Sequence, residues 1–361
     1  MKKILPLNNP VIDVFGGYAC TNSIYMDQPK GISWFVQNYI NYVVLYDNEY
    51  RFVCSDYMNI DSLYFNSVTC FQLEGIVNVP IKTYSIPKDQ IEEGDIIRYV
   101  KKQIDLGYYV CLFVNLQEIK KYNYEYPGNH DIFIYGYDDE EQVVYATGYV
   151  GNSPYQTLKH SYDEVMKAFH SLDDTINYNH EVICNYDTEK VTIMRYNENF
   201  VFKFSKEQLI KDLEYYINLK EYSMSFTPKI NRYSLNYNTS TVYGNKHYDI
   251  LEKHLECIAN YHQYIDFRQF YFVLQHKQIM LYRLHYLSEN SYLTEHKFIE
   301  GFEEIVHLCK RLLNMVMKYN AIMDVAMGNN KTLLQKMVEM LKEIKTKEEN
   351  LLLEVIKELK K

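Results

Sequence analysis

From Ser205 onward, glycine and proline nearly vanish, and apolar residues recur at intervals of three and four through 205–219, 246–288, 292–327 and 331–360. That interval is the period of a helix with one buried stripe, and a chain short of the two strongest helix breakers has few other options. Ser205-Lys206-Glu207-Gln208 has the form of a capping box, a hydroxyl at the N-cap with an amide three residues on. Gly328-Asn329-Asn330 is the clearest late break, and the Ser-, Asn-, Thr- and Tyr-rich stretch at 221–245 reads as a linker. The expectation is an all-α helical bundle over 201–361.

The part before residue 200 carries mixed signals. Asp89–Leu106 has near-helical apolar spacing and is closed by Gly107. Tyr108–Asn115 is apolar and β-branched enough for a buried strand. His130–Asp138 and Gln142–Val150, separated by an acidic turn, predict an antiparallel hairpin, and His180–Asn197 a second one. Ser161-Tyr162-Asp163-Glu164 predicts a capped helix start. The first domain, 1–200, is therefore expected to be α+β.

Charge and cysteine content narrow the function classes. The 361 residues carry a net charge of −9 with no long block of one sign, which argues against nucleic acid as the main partner. The longest apolar runs, such as Tyr108–Val114, are too short to span a bilayer. The opening MKKILPLNNPVIDV has a basic tip but no uninterrupted apolar stretch, unlike a secretory signal. A cytoplasmic protein with no membrane or nucleic-acid partner is expected. Seven widely spaced cysteines without a CxxC pair indicate neither a zinc ribbon nor a disulfide framework. HExxH, GxxxxGK[ST] and GxGxxG are all absent, so no metal or cofactor is expected. Glu304 and His307 form one ExxH pair where a di-iron bundle needs two, and they read as a solvated helix face. His247, His254 and His262 stack on one side of a helix, as a polar or interface stripe.

Two features could carry chemistry. In Phe15–Met26, FGGYACTNSIYM, two glycines precede Cys20 at what reads as the opening of a helix. A thiol there lies in the field of unpaired backbone N–H groups, which favours the thiolate and can also receive an oxyanion. The competing reading of Cys20 is a small buried hydrophobe. His130 opens a strand far downstream, giving the Cys-then-His order of thiol enzymes with an imidazole base. A third group on the adjacent strand usually orients such an imidazole, and that position holds Thr147. Standing alone, His130 would be a solvated or structural histidine.

FGGYACTNSI, DLGYYVCLFVN, NHDIFIYGYDDEEQVVYATGY and SYDEVMKAF together resemble the N-terminal domain of the butirosin biosynthesis protein H family. VYGNKHYDIL and FRQFYFVLQHKQIMLYRL are similar to the helical region that follows it. The resemblance implies a papain-like domain related to bacteriocin-processing peptidases. It further implies an amide-forming acyltransferase of antibiotic biosynthesis, related to an amide synthase of polythioamide biosynthesis. An acyl group would pass from a carrier-protein thioester through Cys20 to an amine, with His130 as base. Phosphopantetheine would then belong to the acyl or peptidyl carrier protein, and the second partner would be a small amine. Two positions depart from the family pattern: Thr147 replaces the usual Asp, and Val14 stands where related peptidases carry glutamine six residues before the nucleophile. A cysteine peptidase and a non-catalytic papain-like binding module are the alternatives. The late helices could equally build a homodimer interface or a core.

Overall fold

The structure is a computed structural model that describes residues 1–14, 16–46, 50, 52–58, 79–91, 95–125, 128–150, 155–172, 190–218, 240–261, 263–326 and 330–361. In chain order it begins with β1 (Lys2–Ile4), α1 (Gly16–Tyr25), α2 (Pro29–Asn38), β2 (Asn41–Tyr46), β3 (Phe52–Met58) and β4 (Ile81–Pro87). It continues with α3 (Ile96–Asp105), β5 (Tyr109–Asn115), β6 (Asn129–Asp138), β7 (Val143–Gly148), β8 (Gln156–Ser161), α4 (Tyr162–His170) and β9 (Lys190–Tyr196). Then come α5 (Lys206–Tyr216), β10 (Ser240–Tyr243), α6 (His247–Tyr261), α7 (Phe267–Glu289), α8 (Lys297–Ala326) and α9 (Lys331–Leu359). Two units result, one of 1–32 and 68–202, the other of 33–67 and 203–361.

An antiparallel sheet in the order β4-β9-β5-β6-β7-β8 forms the first unit, with β1 added along the late half of β6. Alternation along the strands sorts side chains between its faces. Leu112, Val114, Ile132 and Ile134 go to one face and pack with Val100 and Ile104 of α3 and Val165 of α4. Each such aliphatic side chain, fully buried, contributes about 1.5–3 kcal/mol. Asp131, Phe133 and Thr147 belong to the other face, Phe133 standing opposite Thr147 in the β6–β7 register. The helix expected from Asp89 begins only at Ile96, because Asp95 caps it by accepting from the Arg98 N–H. Lys88–Gln90 is a separate 3-10 turn. The capping box at Ser161 and Glu164 is formed in both directions. Of the expected 180–197 hairpin, β9 is described and pairs with β4 and β5, while 180–189 lie outside the described residues.

The second unit is not purely helical. β2, β3 and β10 form a three-stranded antiparallel sheet within it, two of the strands coming from the first fifth of the chain. Buried polar groups on α7 bind that early segment. Arg283 donates from Nε to the Val36 carbonyl (2.6 Å) and from its guanidinium to the Tyr39 carbonyl (2.8 Å). Carbonyls at a helix end lack partners within the helix, and here an arginine from a distant part of the chain supplies them. His276 Nε2 meets the Ile40 carbonyl at 2.8 Å.

Beside it, Lys277 is fully buried, and its ammonium donates to Glu348 (2.6 Å), Tyr216 (2.6 Å) and His276 Nδ1 (2.9 Å). Glu348 also accepts from the Tyr248 hydroxyl at 2.8 Å. A buried ion pair persists only where hydrogen bonds saturate both ends, as they do here. Of the three histidines expected to form a polar or interface stripe, His247 and His254 are buried, and His262 lies outside the described residues. Glu304 and His307 are exposed. Met337, Leu341, Leu352 and Val355 of α9 are buried within the unit. No helix among the described residues is long and apolar enough to cross a membrane.

Candidate active site

Cys20 is the fifth residue of α1 and is almost wholly buried. Helical pairing over four residues directs its own N–H to the carbonyl of Gly16, so that N–H is not one of the free donors of the first turn. The expected position at the helix opening is thus displaced inward by one turn. Asp131 occupies the opening instead: a methyl group added at Gly16 would come within 3.3 Å of Asp131 Oδ2. A carboxylate is well placed there, since the unpaired N–H groups favour negative charge. Glycine at position 16 lets it approach that closely.

Sγ of Cys20 has one hydrogen-bond partner among the described residues, the hydroxyl of Tyr155 at 3.6 Å. The same hydroxyl is hydrogen-bonded to Oγ1 of Thr147, which is buried on β7. Thr147 therefore does not orient an imidazole; it holds the phenol that rests on the thiol. Burial, and next the neighbouring Cys20, push the Tyr155 pKa well above its usual 10, so the phenol keeps its proton. The Tyr149 ring packs edge-on against Tyr155 at 5.3 Å, and its hydroxyl donates to the Asp13 carbonyl.

His130 is the second residue of β6, one place after the strand start, where the pattern predicts it to open the strand, and its ring is not bonded to Cys20. Nδ1 lies 3.0 Å from Oδ1 of Asp131, and 46% of the His130 side chain is exposed. Strand alternation assigns Asp131, not His130, to the face shared by Phe133 and Thr147. Desolvation works against the imidazolium, but the Asp131 charge and hydrogen bond outweigh it and raise the pKa above 6.5.

The geometry therefore gathers two of the three candidate residues, Cys20 and Thr147, through Tyr155, and sets His130 in a separate pair with Asp131. Asp131 was legible only as the neighbour of His130, and Tyr155 follows GNSP, which as a sequence is ordinary turn chemistry. Among the described residues no cluster of three or more His, Cys, Asp or Glu side chains could hold a metal ion. Chemically, the site offers a thiol, a protonated hydroxyl on that thiol, and an imidazole with a carboxylate partner. No protein-family model matches the chain, and no curated protein matches it.

Proposed function

We propose that the first unit is a papain-like thiol acyltransferase that makes amides from carrier-bound thioesters. The observation carrying this reading is Cys20 on α1, its thiol bonded to a hydroxyl that Thr147 anchors on the sheet. The His130–Asp131 pair stands on the neighbouring strand β6, next to β7. Cys20 attacks the thioester carbonyl, the carrier thiol leaves, and an amine then displaces the acyl group from Sγ. Transfer between the two sulfurs is close to thermoneutral and discharge to the amine is downhill, so the overall reaction needs no nucleotide. His130 is the proton carrier in this reading; its side chain leaves the strand on the face away from Thr147, so it must release Asp131 and swing around the start of β6 to reach the sulfur. Lys120 and Lys121, both exposed, are the basic pair offered to an acidic carrier protein.

The test is intact-mass analysis after mixing the protein with acyl-N-acetylcysteamine thioesters and a simple primary amine. The reading expects an acyl adduct on Cys20 that the amine discharges as an amide, and no adduct with Cys20→Ala. Amide formation that survives Cys20→Ala overturns it.

A second reading, a papain-like binding module without catalysis, is favoured by one observation: a nearly buried thiol bonded to a phenol rather than to an imidazole. Slow iodoacetamide labelling of Cys20, no faster than that of buried Cys111 and Cys309, would select it.

A further inference from the structure

We infer that Tyr155 is a catalytic residue of this site, donating its hydroxyl hydrogen bond to the oxygen of the acyl group on Cys20, with Thr147 as its positioning residue. This deepens the acyl-transfer reading and rests on it.

The need for such a donor follows from the helix. In a thiol acyltransferase the carbonyl oxygen gains negative charge as sulfur attacks, and a preorganised donor at that oxygen is usually the largest single contribution to rate. The Cys20 N–H is directed into the α1 ladder and Val14 has no side-chain donor, so neither supplies one. The first turn of α1 already faces the Asp131 carboxylate, which would repel an oxyanion placed there. The Tyr155 hydroxyl is the one hydrogen-bonding group at Sγ among the described residues. A thioester oxygen lies close to its own sulfur, so a hydroxyl 3.6 Å from Sγ needs only a small adjustment to donate to it.

Burial keeps the phenol protonated across the working range, as a donor must be. Thr147 fixes where that hydroxyl sits. The Tyr149 ring, edge-on at 5.3 Å, backs the phenol ring.

Atoms balance without any further reactant. In acylation the Sγ–C bond forms, the bond from carbon to the carrier sulfur breaks, and the thiol proton ends on that departing sulfur. In discharge the N–C bond forms, the Sγ–C bond breaks, and one amine proton returns to Sγ. Tyr155 keeps its own proton throughout and only donates to the oxygen.

The experiment compares two reagents at Cys20 in the full chain. Acetyl-N-acetylcysteamine acylates through an oxyanion, whereas iodoacetamide alkylates by displacement at a saturated carbon and forms none. Tyr155→Phe removes one oxygen and is expected to slow acylation roughly 100-fold, with alkylation changed by no more than about threefold. Thr147→Val should slow acylation by a smaller factor, and Thr147→Ser, which restores the hydroxyl, should recover it; a packing role for Thr147 would not show that pattern. Thermal melts accompany each variant, and the contrast between Thr147→Val and Thr147→Ser carries the test if Tyr155→Phe does not fold, equal acylation of these two overturning the inference. Equal acylation of wild type and Tyr155→Phe overturns the inference while leaving acyl transfer intact. Equal slowing of both reagents overturns it as well, since Tyr155 would then be acting on the thiol itself. If wild-type Cys20 is alkylated but never acylated, the acyl-transfer reading falls and takes this inference with it.

Discussion

The protein holds two buried polar centres built to opposite standards. Around Lys277 the ammonium has its three protons placed on Glu348, Tyr216 and His276, and Glu348 accepts from a further hydroxyl. Around Cys20 the thiol has one long hydrogen bond to Tyr155. The first centre joins α5, α6, α7 and α9 of the second unit, and a saturated network of that kind works as a clamp. The second holds a thiol with a single tie, the arrangement that the proposed acyl transfer at sulfur would need. Burial alone thus does not separate the two centres; the number of hydrogen bonds that each buried group makes does.

The comparison can be broken most forcefully at the clamp. Lys277→Met leaves Glu348 buried without its cation and should cost about 3–5 kcal/mol in chemical denaturation. Adding Glu348→Leu should return much of that loss, because it removes the stranded charge. Should Lys277→Met cost no more than a surface change, the centre is not a clamp.

Acid provides a second lever. Burial, followed by the charge of Lys277, lowers the His247 pKa to about 3, and the same two causes hold His276 well below 6.5. Each is neutral when folded and titrates near 6.5 when unfolded, so protons bind the unfolded chain preferentially below that pH. Their contribution to stability is complete above 6.5 and is lost as pH falls from there towards 3. Denaturant midpoints measured over this window should fall with pH, and less so in His247→Asn.

His130 should behave in the reverse sense. Its raised pKa means that Asp131 stabilises the imidazolium form, a contribution present below 6.5 and lost as pH climbs through the folded value. In Asp131→Asn the imidazole resonance should titrate at a lower pH than in wild type, a shift visible by NMR. An unmoved titration would dissolve the His130–Asp131 pair.

The smallest effect is expected at Cys20. Cys20→Ala should cost only about 1 kcal/mol of stability, because the thiol's single hydrogen bond is long. A loss as large as that of Lys277→Met would make Cys20 another structural residue and erase the contrast.

Much of both units could be read along the chain. The β5, β6 and β7 strands, the Ser161 capping box and the helices from Lys206 onward each follow from local patterns. Such patterns report a residue's immediate neighbours, and those neighbours dominate turn, cap and amphipathic preference. The three-stranded sheet of the second unit escaped this reading. Asn41–Tyr46 pairs with Ser240–Tyr243, nearly two hundred residues on, and no local spacing encodes that pairing. The site divides in the same way. Cys20, His130 and Thr147 stand out as residue types in suggestive order, but Tyr155 is one tyrosine among 38.

By itself, then, the sequence determined the α+β character of the first part, the helices of the second, and the chemical types from which a site could be drawn. Tertiary structure decided that residues 33–67 belong with the late helices, that Thr147 serves a phenol rather than an imidazole, and that Asp131 takes the start of α1. Elements form from interactions a few residues apart, which periodicity displays. The contacts of a buried polar group depend on which distant strand or helix meets it, and only the folded chain sets that.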